Sequence, residues 1–399
     1  MDQRQALHRA QRGVTSAPYV LGLYVALAVG AVLGQYLKTA AHPGAAYPQY
    51  NGYLILKHSF VHLLNHQNLY AWYLQDHWDL YKYSPTCAVL FAPLSVVPDW
   101  LGMVLWNVLN ACCLFVAIQA LPGVRASVKA SVLFFSGLAL FLSPQHFQIN
   151  GVLAALMIGS VALRMREYIC LATLCVVASL FIKIFGVFAV VVLLVFPHRR
   201  KAVLCALLWV LVLAAVPLLV VSASQVWWQY GNWLQLLQED HTAATGTSLL
   251  RWLPPGGGLA SPTTLIQVTG IGLFGLPLLN TQAYADWGFR LGLLSSVLMW
   301  VIIFNHKAET ATFVIAVCGC ALWYATSQGT WLDTALILAV ALGTCLSPTA
   351  LVPLGWRKAF FKPYAFEVVP VIATWIKLNY DLFVGAHRGQ RPLRVLDGM

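Results

Sequence analysis

The ionisable residues of this chain fall in a few tight groups, each at the edge of an apolar run. Residues 76–110 (DHWDLYKYSPTCAVLFAPLSVVPDWLGMVLWNVLN) begin with aromatic and charged groups. They turn apolar at Ser84-Pro85 and stay so apart from Pro98-Asp99. Asp76 and Asp79 therefore stand on top of a membrane-buried stretch, although Asp79 before Leu80-Tyr81 reads equally as a helix cap and Asp76 as a solvated loop charge. Lys183 is an ionisable group in an apolar hairpin, where a charge costs about 2.5–3.5 kcal/mol at a helix centre. Snorkelling to an interface would relieve that cost. His306, Lys307 and Glu309 crowd two cations and a carboxylate into four residues, either an ion pair at a membrane edge or a group able to orient a reactant. His58 and His62 have metal-compatible i, i+4 spacing, but no carboxylate or third ligand is evident on that face unless His66 joins, so no metal site is expected.

The elements that position these groups follow from composition. The 399 residues are 60% hydrophobic and 9% charged, against about 25% charge in soluble domains. Apolar runs of about 17–25 residues recur, so an all-α polytopic membrane protein is expected. The net charge of +11 does not point to nucleic acid, because the basic residues sit in short clusters between apolar runs and act as an orientation signal. The cysteines lie within apolar runs without CxxC spacing, so neither a zinc site nor a disulfide frame is suggested. Arg4, Arg9 and Arg12 precede a first apolar run with no small-residue cleavage site, which reads as an anchor.

One transmembrane domain over 1–399 is expected. Residues 1–16 are cytoplasmic and 17–37 cross outward. Residues 38–84 form a first outer loop. Within it, 51–66 make an amphipathic interfacial helix, with Tyr53, Leu56, Phe60 and Leu64 on one face and His58, His62 and His66 on the other. Residues 86–97 read as a re-entrant, half-depth hairpin and 101–121 cross inward, which places Arg125 and Lys129 inside. Short runs of about 14 residues follow at 130–143, 151–163, 168–182 and 184–197. They fall short of the roughly 20 residues a full span needs, so several are expected to stop at a cavity opening outward. Residues 202–222 go out, 223–262 form a second, Trp-rich outer loop, and five further runs lead to the tail 384–399. If all five cross, Asn305–Glu309 is external and Arg388, Arg391 and Arg394 are inside, at the cost of leaving Arg357, Lys358 and Lys362 outside against the positive-inside rule.

Several motifs in this order resemble glycosyltransferase family 87, the polyprenol-phosphate-sugar-dependent transferases of the GT-C superfamily. They are Tyr81-x-Tyr83-x-Pro85, then Ala92-Pro93-Leu94, Pro98, and Trp106 with Leu109-Asn110. Gln148-Ile149-Asn150, Lys183, the basic turn His198–Lys201 and Ser248-Leu249 with Arg251 and Trp252 continue the match. Residues 305–314 occupy the place of a late outer-side polar motif. One departure stands out: the family's first loop opens with an aspartate, the presumed base, where this chain reads Tyr50-Asn51-Gly52.

The resemblance implies a GT-C-type helix bundle with long outer loops carrying interfacial helices. It implies transfer of a hexose such as mannose from a polyprenyl-phosphate donor to a hydroxyl on a lipid or glycan acceptor, with inversion. The site would face the outside or periplasm of a cell membrane. Since Asn51 cannot take a proton, Asp79, Glu309 and Asp76 are the candidate bases. Lys183, Arg251, His306 and Lys307 are candidates for the donor phosphate. Gln148, Asn150, Asn51, Tyr81 and Tyr83 are candidates for donor contacts, with Trp72 and Trp78 as further aromatic platforms. No cofactor is expected, and no aspartate–x–aspartate motif offers to hold a metal. The rival readings are a secondary transporter or flippase of lipid-linked sugar, disfavoured by the absence of a clear internal repeat, and a ligase or polymerase of lipid-linked glycans.

Overall fold

The computed structural model describes residues 17–240, 246–254 and 261–387, and among these every regular element is helical. The N-terminal sixteen residues and the Arg388, Arg391 and Arg394 tail lie outside the described residues. Five helices are long and apolar enough to span a bilayer: α1 (Ala17–Ala41), α3 (Asp99–Gln119), Ala126–Gln145 (which begins as α4, Ala126–Leu140), Arg199–Leu219 and Pro262–Leu279. Between them stand shorter apolar helices, α5 (Asn150–Arg164), α6 (Ile169–Ile182), α10 (Trp287–Ile303) and α11 (Phe313–Thr326).

Burial sorts the bundle into a centre and a rim. In α10 every residue except Arg290 is buried, and α11 is nearly as enclosed. Their backbones approach closely because Gly319 offers no side chain: a Cβ there would lie 2.7 Å from the Ser295 carbonyl oxygen. Around the rim, α7 (Arg199–Ala215) and α9 (Pro262–Gly275) turn leucines, isoleucine and valine outward, at Leu204, Leu207, Leu211, Leu265, Val268 and Ile271. Such outward apolar faces suit a hydrocarbon environment.

The two ends of the bundle carry different groups of polar residues. At one end, Lys129 donates to the Gln119 carbonyl, Arg166 to that of Ala120 and Arg164 to that of Pro197. His198, Arg199, Arg200, Lys201 and Arg290 line a cavity there. Helix α5 runs from that end, at Arg164, to the other, at Asn150, and α10 runs from Arg290 to the segment 305–309. The short helices stop at this second end: α5 starts at Asn150, α6 ends beside Lys183 and α10 ends before Asn305. At about 1.5 Å per residue, fifteen residues cover roughly 22 Å of a hydrocarbon core about 30 Å thick. A cleft lies where these helices stop.

Three expected elements differ in detail. Residues 86–97 form two short helices, Pro85–Leu90 and Ala92–Ser95. The segment nevertheless returns to the side it left, since Ser95 donates to the Lys57 carbonyl and Lys57 pairs with Asp99. Residues 51–66 become α2 (Asn51–Leu64), yet this helix is covered rather than lying with a wet histidine face: His62 is 5% exposed and stacks on Tyr73, while Leu64 is exposed. The stretch 223–262, expected as a second outer loop, opens with an eighteen-residue helix, α8 (Ala223–Asp240). It packs on the first loop through Gln229, which donates to the Gln67 carbonyl and accepts from the Leu69 N–H, and through Trp233, which donates to the Lys82 carbonyl. Cys170 and Cys205 are bonded, tying α6 to α7 where no disulfide was expected from their apolar surroundings.

Candidate active site

The cleft at the second end encloses about 1060 Å³. Its walls come from five stretches of the sequence: 45–55, 78–83, 146–148, 183–184 and 305–312. Leu237 of α8 and Lys362 complete it.

The sequence explains how each wall is held. On α3, three residues in one stripe grip the first turn of α5 and the segment before it. Trp106 Nε1 donates to the Phe147 carbonyl at 2.9 Å, Asn107 Nδ2 to that of Pro144 at 3.1 Å, and Asn110 Oδ1 accepts from Val152 N–H at 3.1 Å. Gly151 lets α5 press against α3, since a Cβ there would meet the Asn110 carbonyl oxygen at 2.9 Å. Phe147 is held at φ 53°, a region that costs a non-glycine residue on the order of 1–3 kcal/mol. The tryptophan–leucine–asparagine run of α3 is therefore a clamp that presents Gln148 and Asn150.

The first loop closes on the same segment. Gly52 lies so near it that a Cβ would sit 2.3 Å from the His146 carbonyl oxygen. Asn51, the departure from the family pattern, is buried and accepts the Trp78 N–H at 3.0 Å, which ties the start of α2 to the wall carrying Asp79. Opposite, Gly246 donates to the His306 carbonyl at 3.0 Å and Thr247 to that of Ala308 at 2.6 Å, so the late polar motif is zipped to the second loop.

Within the cleft a directed chain of polar groups runs from cation to carboxylate. Lys183 Nζ donates to Asn150 Oδ1 at 2.9 Å, Asn150 Nδ2 to Gln148 Oε1 at 2.7 Å, and Gln148 Nε2 to Glu309 Oε2. Asn150 also donates to the Ala311 carbonyl at 2.9 Å. Burial draws the Lys183 ammonium down to about 8, with Glu309 pulling the other way. On the facing wall, Asp79 Oδ1 accepts from its neighbour Leu80 N–H at 2.7 Å and lies 3.4 Å from Lys82 Nζ. Lys82, Lys183, Lys307 and Lys362 line the cleft against the two carboxylates Asp79 and Glu309, so the space is electropositive. His146 also lines it, its imidazole held below its usual range by burial.

Of the residues singled out from sequence, Asp79, Glu309, Lys183, Gln148, His306, Lys307, Asn51, Tyr83 and Trp78 line this one cleft, with Asn150 directly behind it. Asp76 is not among the lining residues; its carboxylate accepts from or pairs with His62 at 2.9 Å. Arg251 donates from Nε to the Pro363 carbonyl at 3.1 Å and does not line the cleft. Tyr81 is buried with its hydroxyl on the Ser84 carbonyl, and Trp72 is exposed elsewhere. Lys82, Lys362 and His146 were not anticipated. The signal for Lys362 was the charge cluster that the topology left on the wrong side of the positive-inside rule.

The sequence profile of glycosyltransferase family 87 matches residues 81–348. A search of curated proteins finds no match. The matched span takes in the clamp on α3, the Gln148–Asn150–Lys183 chain and Glu309, and leaves the first loop up to Leu80 outside it. With two thirds of the chain matched and a bundle of apolar helices around the matched motifs, this chain belongs to glycosyltransferase family 87 and is a membrane glycosyltransferase.

Proposed function

We propose that the cleft transfers a hexose, with mannose as the leading case, from a polyprenyl-phosphate donor to a hydroxyl of a lipid or glycan acceptor, with inversion. The observation that carries this reading is four lysines and two carboxylates gathered where short apolar helices stop. A lipid phosphate enters such a place from the bilayer, and Lys183, Lys307 and Lys362 supply charge for it. Apolar lining from Ala45, Ala46, Ile55, Ile184 and Leu237 suits the prenyl chain.

The acceptor oxygen attacks the anomeric carbon as the bond from that carbon to the phosphate oxygen breaks. The lipid phosphate leaves with the electron pair, and Asp79 takes the hydroxyl proton. The contacts of Asp79 with the Leu80 N–H and with Lys82 both fall on Oδ1, which leaves Oδ2 for this role. Glu309 sits at the end of the chain that starts at Lys183, so it orients Gln148 and balances the lysines. Trp78 and Tyr83 offer faces to the sugar. The cleft faces the outside of a cell membrane, an orientation supported by the arginine-rich opposite end.

The test is transfer by purified protein in lipid, with labelled polyprenyl-phosphate hexose set beside the nucleotide-activated sugar and a mixture of lipid and glycan acceptors. The proposal expects label to move from the lipid donor. Transfer from the nucleotide sugar alone would overturn it.

A further inference from the structure

His58, His62 and Asp76 converge beside the cleft, and the function proposed above uses none of them. The two histidines stand one helical turn apart on α2, so their rings share a face. Asp76 arrives from the irregular segment 65–84, fourteen residues beyond His62. Its two carboxylate oxygens divide between the rings: Oδ2 lies 2.9 Å from His62 Nε2 and Oδ1 lies 3.8 Å from His58 Nδ1. One ligand atom from each of the three residues can be chosen so that all lie within 4.8 Å of one another. A tetrahedral ion with bonds of about 2.1 Å places its ligand atoms roughly 3.4 Å apart. The two contacts to Asp76 bracket that spacing, and the remaining edge, between the two imidazoles, is within 4.8 Å.

The surroundings fit a cation held from the protein side. His62 is buried and stacked on Tyr73 at 3.8 Å between centroids, which fixes its ring plane. The His77 ring stands 6.0 Å from that of His62 and 6.4 Å from that of His58, and its Nδ1 is engaged with the Asp79 carbonyl at 2.7 Å. The site is open on one side, since His58 and Asp76 are each about a quarter to a third exposed.

We infer that His58, His62 and Asp76 form a transition-metal site of the zinc type, which clips the segment 65–84 to α2. Two imidazoles and one carboxylate are a common ligand set for Zn2+, with a water in the fourth position. The clip matters because the same loop carries Trp78, Asp79, Lys82 and Tyr83 into the cleft. Asp76 precedes the first of these by two residues, and His77, between them, holds the Asp79 carbonyl. The metal acts here as a positioning element for a wall of the cleft, whichever donor the cleft accepts.

The experiment uses the full chain in detergent or nanodiscs, stripped with chelator and reloaded with Zn2+ alone. Bound metal is counted by mass spectrometry, and proteolysis of residues 65–84 is followed with and without the metal. The wild type is expected to hold about one Zn2+ per chain and to gain loop protection on loading. Asp76→Asn, nearly isosteric, and His62→Ala are expected to bind at least about ten-fold more weakly and to gain no protection. His62→Cys, which restores a ligand, is expected to regain both. A His66→Ala control should match the wild type. Zinc uptake unchanged across these variants, or a wild type with no uptake and no change in loop protection, would overturn the site and leave a plain histidine–carboxylate contact.

Discussion

At the residue scale the account depends on how burial and partners set the charge of single groups. Lys183 keeps its ammonium only below about 8, because burial disfavours the charged form more than Glu309 favours it. A lysine needed as a cation is active below that value and loses its charge as the pH rises through it. The expected outcome is a kcat/KM for the lipid donor that falls as pH passes about 8. Lys183→Arg, which stays charged, should flatten that fall, and Lys183→Ala should lose donor use at every pH while the protein still inserts. A wild-type profile in Lys183→Ala would remove the lysine from the site. Lys183 was legible in the sequence because a cation in an apolar hairpin costs energy that something must offset. Arg251 looked similar on paper, but its partner is a backbone carbonyl at Pro363, which no local pattern announces. Asp76 and Asp79 were indistinguishable as loop acids. Only the fold turns one toward histidines and the other toward Lys82.

At the scale of elements, the polar stripe of α3 is the device that builds the cleft. Asn110→Ala removes the acceptor of the Val152 N–H at the buried junction of α3 and α5. An orphaned buried donor costs about 1–3 kcal/mol, so a lower melting temperature is expected in detergent, together with reduced turnover from a displaced Gln148. Unchanged melting would mean that the clamp holds without this bond. Gly52→Ala should also impair turnover, since the new methyl would lie 2.3 Å from the His146 carbonyl oxygen and push α2 away from the cleft. Unaltered transfer in that variant would show that the approach is looser than the geometry gives. The helices themselves were readable from hydropathy, including the shortness of α5 and α6. Helix α8 was not, because Trp227, Trp228 and Trp233 read as interfacial anchors. Its packing face of Val226, Gln229, Tyr230, Trp233 and Leu236 has helical spacing, but it is interrupted by a glutamine whose partners lie in another loop. The covering of α2 by the segment 65–84 was likewise invisible, because it depends on contacts made by residues without periodicity.

At the scale of the whole molecule, the arginines and lysines of 125–129, 164–166 and 199–201 mark one end and the cleft marks the other. The outward orientation proposed for the cleft takes the first of these as the positive-inside signal. Trp78→Cys in intact cells should react with a membrane-impermeant thiol reagent, whereas Arg200→Cys should react only after permeabilisation. The reverse pattern would invert the molecule and exclude an outer-leaflet donor. The same fold explains why Lys362 sits on the cleft side: it is part of the electropositive lining rather than a topological signal. The account's central claim is that this cleft transfers sugar from a lipid phosphate with Asp79 as base, and the most direct test compares wild type, Asp79→Asn and Glu309→Gln in lipid with a labelled polyprenyl-phosphate hexose. The account predicts transfer by wild type, a loss of about 100-fold or more in kcat for Asp79→Asn, and a smaller loss with raised KM for Glu309→Gln. Full activity in Asp79→Asn with none in Glu309→Gln would contradict it and move the base to the opposite wall.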